Sequence, residues 1–213
     1  MFEIKENEMK AETAMIVGIQ HYKNDVAEIE DHLDELEQLV NNIEIDVVNK
    51  NIVKLRKITA KYYIGKGKAE ELRDTCKRLQ IEILVFDEVL SPSQQKNLDK
   101  LIGITVIDRQ EVILDIFSKR ARTKEAKLQI ELARAEYNLP RLKRMWTHLS
   151  RQKGGGVTQR GTGEKQIEVD RRLVGDRITR LKEELEQVKK HRNVQRKKRQ
   201  EIPLPNAAIV GYT

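Results

Sequence analysis

Cysteine occurs once in the 213 residues, at position 76, so no internal disulfide can form. That fits a reducing compartment. Cys76 falls in a helical pattern with no histidine near it in sequence, and reads as an ordinary structural residue. Aromatic residues make up only 4% of the chain against 35% charged. That balance points to long exposed helices beside a modest core. No apolar run approaches the roughly 20 residues that a membrane-spanning helix needs. The opening MFEIKENEMK is charged and lacks the apolar stretch of a secretory signal, so a soluble, cytoplasmic protein is expected. The four histidines, at 21, 32, 148 and 191, are scattered and offer no metal-ligand constellation. Also missing is a Gly-Lys-Ser/Thr of the kind that cradles nucleotide phosphates. In GKGK, residues 65–68, Ala69 stands where the hydroxyl belongs and Tyr62 where the first glycine belongs.

Charge is present in abundance, and it is unevenly placed. The net charge is +7, but residues 1–115 carry 16 Lys/Arg and 23 Asp/Glu, a net of −7. Residues 116–213 carry 25 Lys/Arg and 11 Asp/Glu, a net of +14. An acidic half joined to a strongly basic half points to a polyanion partner for the second half.

The first half alternates short apolar runs with amphipathic stretches. AMIVGI (14–19), Ile43–Val48, IEILVF (81–86) and Ile104–Ile107 read as strands. Val26, Ile29, Leu33, Leu36 and Val40 recur at helical spacing, and a second helix is expected over 68–79. Ser91-Pro92 predicts a third helix over 93–101, with serine as its cap and proline in its first turn. The stretch 52–64 carries no clear period. Apolar strands separated by helices imply a small parallel sheet with flanking helices over residues 1–110.

From Asp108 the period changes. Leu128, Leu132, Ala135, Leu139, Leu142, Trp146 and Leu149 are spaced as a heptad seam, and so are Val174, Ile178, Leu181, Leu185 and Val188. Pro140 lies inside the first seam and should kink it. Residues 111–200 are therefore expected to form a long antiparallel two-helix, coiled-coil-like hairpin. Arms of some 35 residues would be roughly 50 Å long. The fold class expected for the chain is thus α/β plus all-α.

The expected tip, residues 153–164, is rich in glycine. Gly154, Gly155, Gly156, Gly161 and Gly163 allow positive φ and close backbone approach to a crowded surface. Arg160 can fork onto phosphate or stack on a base, and Gln159 can bond base edges. Arg151 and Lys153 flank the loop. Cations at 119, 120, 122, 124, 127, 134, 141, 143 and 144, and seven more over 189–199, would attract phosphate backbone without reading sequence. These residues make RNA the expected ligand of the hairpin. Residues 201–213 read as a proline-stiffened linker and a strand, with Gly211, Tyr212 and Thr213 placed where a phosphate-binding loop would start.

Several segments together resemble the HflX family of ribosome-associated GTPases. LSPSQQKNLDKLIGITVIDRQEVILDIFSKRARTKEAKLQIELARAEYNLPRLKRMWTHL, residues 90–149, looks like the family throughout. YYIGKGKAEEL, residues 62–72, resembles its tyrosine–isoleucine–glycine segment. The glycine loop through Asp170-Arg171-Arg172 is similar to its GTRGPGETQ…DRR signature, with Gln159, Thr162 and Lys165 departing from it. The resemblance implies an α/β subdomain, a helical hairpin and then a GTPase domain. It implies binding to the large ribosomal subunit and its rRNA, with the loop reaching toward the peptidyl transferase centre, and splitting or rescue of ribosomes. It implies GTP and magnesium for the whole protein, Gly211 being the first glycine of the phosphate loop. No catalytic residue, metal ligand or cofactor is expected within these 213 residues. Two other readings rest on the residues alone. Asp87, Glu88 and Asp108 at strand ends could mark an ATP-binding or RNA-remodelling α/β domain. The heptads could belong to a coiled-coil module that binds protein.

Overall fold

A computed structural model describes residues 12–21, 26–142 and 162–200, with side chains over 167–197 in the last stretch. Among these residues the chain forms two compact units. The first holds the described residues up to 121 together with 140–142, and the second holds 122–139 and 162–200.

The first unit is built on a four-stranded sheet, β1 (Thr13–His21), β2 (Asp46–Leu55), β3 (Ile83–Phe86) and β4 (Thr105–Asp108). All its pairs are parallel, in the order β2-β1-β3-β4. Helices α1 (Val26–Asn41), α2 (Lys66–Leu79), α3 (Pro92–Ile102) and α4 (Arg109–Arg120) connect and flank the strands. Because strand side chains alternate, each strand feeds two cores. Met15, Val17, Leu84, Phe86 and Val106 pack with Leu72 and Cys76 of α2 and Leu98 and Ile102 of α3. Ala14, Ile16, Ile83, Val85 and Ile107 pack with Ile29, Leu33, Leu36 and Val40 of α1 and Val112 and Ile116 of α4. Apolar burial on both faces is why these strands read as unbroken hydrophobic runs.

Gly18 sits where α1 crosses β1. A Cβ there would lie 3.0 Å from Ile29 Cγ2 and 3.1 Å from Leu33, so any larger residue would push these side chains of α1 outward by a few tenths of an ångström. Helix α3 starts where Ser91-Pro92 predicts. Ser91 Oγ accepts from Gln94 N, and the Gln94 side chain accepts from Ser91 N, closing a capping box. It stops at Gly103, whose φ of +91° is the left-handed helix stop that glycine adopts without strain.

Three elements differ from the sequence expectation. Strand β2 runs through Leu55 and so takes up residues 52–55, which showed no period because β2 is an edge strand with mixed exposure. Helix α4 shares a core with the sheet through Val112 and Ile116. The long first arm is interrupted twice. It breaks after α4, where Thr123 caps a new helix by accepting from Ala126 N. It breaks again at the 3-10 turn Leu139–Arg141, where Pro140 lacks the N–H that an α-helix needs.

The second unit pairs α5 (Lys124–Asn138) with α6 (Thr162–Gln200), which is 39 residues and about 58 Å long at the standard rise. Leu128, Leu181 and Leu185 are buried between them, with Leu132 and Val188 packed alongside. These are heptad positions predicted from spacing. Ion pairs that cross the helices include Glu131–Arg177 at 2.6 Å, Glu136–Lys182 at 2.8 Å and Glu125–Arg192 at 2.6 Å. Among the described residues no helix is long and apolar enough to cross a membrane.

Candidate functional site

Most of the predicted tip lies outside the described residues. That holds for Arg151, Lys153, Gly154, Gly155, Gly156, Gln159, Arg160 and Gly161, and for Gly211, Tyr212 and Thr213. Gly163 is the exception. Helix α6 begins at Thr162, so residues 162–164 are helical where the sequence reading extends the loop to 164. Trp146 and Leu149 of the first seam also lie outside.

What the structure does place is the basic surface of α6. Along α6, some exposed cations meet carboxylates and others do not. Arg177, Lys182 and Arg192 reach carboxylates of α5, and Lys189 meets Glu186 one turn away at 2.7 Å. Lys190, Arg196 and Lys197 have no ion-pair partner among the described residues and face solvent. The cations thus do two jobs. Arg177, Lys182 and Arg192 hold the helix pair together, and cations in the last turns also favour the helix C-terminal dipole.

Three cations assigned from sequence to a phosphate-attracting surface have partners within the α/β unit, although Lys119 and Arg120 stay exposed. Lys119 Nζ donates to Ile43 O at 3.1 Å, and an Arg120 Nη donates to Asn42 Oδ1 at 2.9 Å, so both tie α4 to the end of α1. Arg141 is buried. Its Nε donates to Gln95 Oε1 at 2.9 Å, one Nη donates to Leu90 O at 2.8 Å, and Asp108 Oδ2 lies 3.6 Å away. The one sequence signal for this was Pro140, which takes the next residue out of the α-helical register.

The carboxylates at the strand ends are similarly occupied. Asp108, fully buried, accepts from Leu90 N at 3.1 Å and from Glu111 N at 3.0 Å, capping α4. Asp87 accepts from Arg109 at 2.8 Å, and Arg109 also meets Glu35 at 2.5 Å. Glu88 sits 3.7 Å from His21 and against Tyr63, whose phenol burial and the Glu88 charge push up to about 12. In open parallel sheets this edge is where ligands bind. Here it presents internally bonded carboxylates, which would repel rather than cradle phosphate. Burial pushes the Cys76 thiol up to about 11, which leaves it protonated and unreactive at neutral pH.

Comparison with known proteins places this arrangement. Residues 30–118 match the family model of the GTP-binding GTPase N-terminal region, and residues 120–199 match that of the GTP-binding GTPase middle region. A GTPase HflX of Akkermansia muciniphila is 49% identical over 220 residues, which cover 100% of this chain and 50% of that protein. The chain belongs to the HflX family of GTPases. The GTPase HflX of Escherichia coli is 42% identical over 202 residues, 95% of this chain and 46% of that one. A GTP-binding protein of the archaeon Sulfolobus solfataricus, solved in complex with GDP, aligns with a TM-score of 0.54 at 27% identity, covering 84% of this chain and 46% of that one. The chain spans about half the length of the HflX relatives it matches. A GTP–magnesium site finds no fit in what is described here. The sequence has no Gly-Lys-Ser/Thr, and among the described residues no group of His, Cys, Asp and Glu could hold a metal ion.

Proposed function

We propose that this chain is the ribosome-binding part of an HflX-family GTPase. It engages rRNA of the large ribosomal subunit through its basic helical unit and helps to split or rescue ribosomes in the cytoplasm. In this reading α5 and α6 are arms of an antiparallel hairpin. The ion pairs support that direction, since Glu125 near the start of α5 meets Arg192, while Glu131 and Glu136 farther along meet Arg177 and Lys182, nearer the start of α6. The tip carries Arg151, Lys153, Arg160, Gln159 and the glycines to the RNA. GTP and magnesium are bound, and GTP is hydrolysed, by a part of the family's proteins that these 213 residues do not include.

The observation that carries the reading is charge held free of internal partners. The net of +14 sits on residues 116–213, and Lys190, Arg196 and Lys197 of α6 face solvent without ion pairs among the described residues. A test is co-sedimentation with purified large ribosomal subunits. The chain should pellet at low salt and be released as salt rises, because each phosphate contact frees counterions. Replacing Arg151 and Arg160 together by alanine should weaken binding by about a hundredfold, since two hydrogen bonds to charged groups at about 1.5 kcal/mol each amount to about 3 kcal/mol. GTP turnover should stay at background. Absence of pelleting at low salt would end the ribosome reading. Measurable turnover would show that the nucleotide chemistry does not reside elsewhere.

A further inference from the structure

The α/β unit carries a basic surface of its own, against the sign of its net charge. Between Asp46 and Glu70 the sequence holds seven Lys/Arg, at 50, 54, 56, 57, 61, 66 and 68, and no Asp or Glu. Residues 1–115 as a whole are at −7. Three of those cations are neutralised locally. Lys50 meets Asp34 and Glu37, Lys66 meets Glu70, and Lys68 meets Glu71. Lys54, Arg56, Lys57 and Lys61 are exposed and have no ion-pair partner among the described residues.

The last three of these sit on a turn that is unusually well fixed for a loop. Thr59 N donates to Tyr63 O at 2.8 Å, and Tyr63 N returns a bond to Thr59 O at 3.1 Å. Thr59 Oγ1 donates to Ile64 O at 2.7 Å. From α3, Gln94 Nε2 donates to Thr59 O at 3.0 Å and Asn97 Nδ2 to Lys61 O at 2.9 Å. Tyr63 holds a φ of 67°, a left-handed conformation that a bulky residue adopts only where its surroundings enforce it. The turn displays Ile58 at 48% exposure, and Lys61 Nζ lies 5.2 Å from the centre of the Tyr62 ring. A rigid turn that sets free cations beside an aromatic ring and an exposed aliphatic side chain has the make-up of a nucleic-acid contact. Cations meet the backbone, and the ring and aliphatic surface meet sugar or base. An acidic peptide would need only the cations.

We propose that the turn over residues 54–62 is a second RNA-contacting surface, in which Arg56, Lys57 and Lys61 bind backbone phosphates. The choice of RNA rests on the reading of the helical unit given above, but the residues and the contact are separate from it. Anisotropy titrations of a fluorescent polyuridylate oligonucleotide with the full chain, across a salt series, test it. Neutralising Arg56, Lys57 and Lys61 together with glutamine should lower the slope of log affinity against log salt by about two, at about 0.7 per lost single-strand contact. The pair Lys77→Gln and Arg78→Gln, exposed cations elsewhere on the same unit, should leave the slope unchanged. Should the triple variant fail to fold, Lys57→Gln alone should lower the slope by about 0.7.

An unchanged slope in the turn variant overturns the proposal. If Arg160→Gln weakens binding in the same assay, the helical-unit reading survives that failure. A turn variant that loses binding while Arg160→Gln does not would support the turn and count against the tip. Equal binding of polyglutamate, lost equally in the turn variant, would mean that the surface takes acidic peptide, and would also overturn the RNA assignment.

Discussion

Arg141 shows how a single side chain can be misread from composition. It stands in a run of cations, and free of context it belongs to an exposed basic face. In the fold it is 7% exposed and bonded to Gln95 and Leu90, with Asp108 beside it. A guanidinium is tolerated there because its planar donors find fixed acceptors, and a buried charge without them is costly. Removing one partner of such a group leaves the others unsatisfied. Arg141→Met should therefore destabilise the α/β unit by about 3 kcal/mol, the lower end of the range for a broken buried pair. The lower end applies because Asp108 keeps two backbone donors. Urea unfolding followed by circular dichroism would measure this. A change within about 0.5 kcal/mol, as for an ordinary surface substitution, would mean that the arginine is not the anchor described.

At the scale of elements, the heptad positions and the ends of α2 and α3 were legible, and the breaks in the first long arm were not. Leu128, Leu181 and Leu185 occupy the interface that their spacing predicts. The breaks at 121–123 and 139–141 depend on one cap and one proline, signals too local to stand out in a repeat. Helix α5 has 15 residues, a length at which an isolated helix is marginal in water. Its order therefore leans on α6. Leu181, fully buried, is the central contact. Leu181→Ala should cost about 2–5 kcal/mol in that packing. Amide exchange across α5 should rise steeply while β1 and β3 keep their protection. Unchanged exchange in α5 would show that its helicity does not depend on α6.

For the whole molecule, each unit has its own buried cluster. The α/β unit has two apolar cores, one on each face of the sheet, and the helical unit has three buried leucines with two flanking side chains. Cooperative unfolding follows shared burial, so units with separate cores melt separately. Thermal denaturation followed at a helix-sensitive wavelength should show two steps. Leu181→Ala should shift only the lower one, and Leu84→Ala only the higher. A single step moved by both substitutions would show that the two clusters unfold as one.

What the residues determined by themselves is whatever depends on composition and local period. No disulfide can form, no phosphate-loop lysine is present, and opposite charge gathers in the two halves. Apolar strands alternating with amphipathic helices make a parallel sheet the expected class, and heptads mark the helix pair. These need only near neighbours in sequence, because burial selects apolar side chains at the period of the element that carries them. Tertiary structure decided the strand order β2-β1-β3-β4, the place of α4 against the sheet, the pinned turn at 59–63 and the burial of Arg141. Each depends on residues far apart in the chain. Arg141 meets its acceptors 46 and 51 positions away, and Gln94 reaches Thr59 across 35. Whether a cation is a surface charge or an anchor is set by which acceptors the fold brings within about 3 Å of it, and a local pattern carries no record of that.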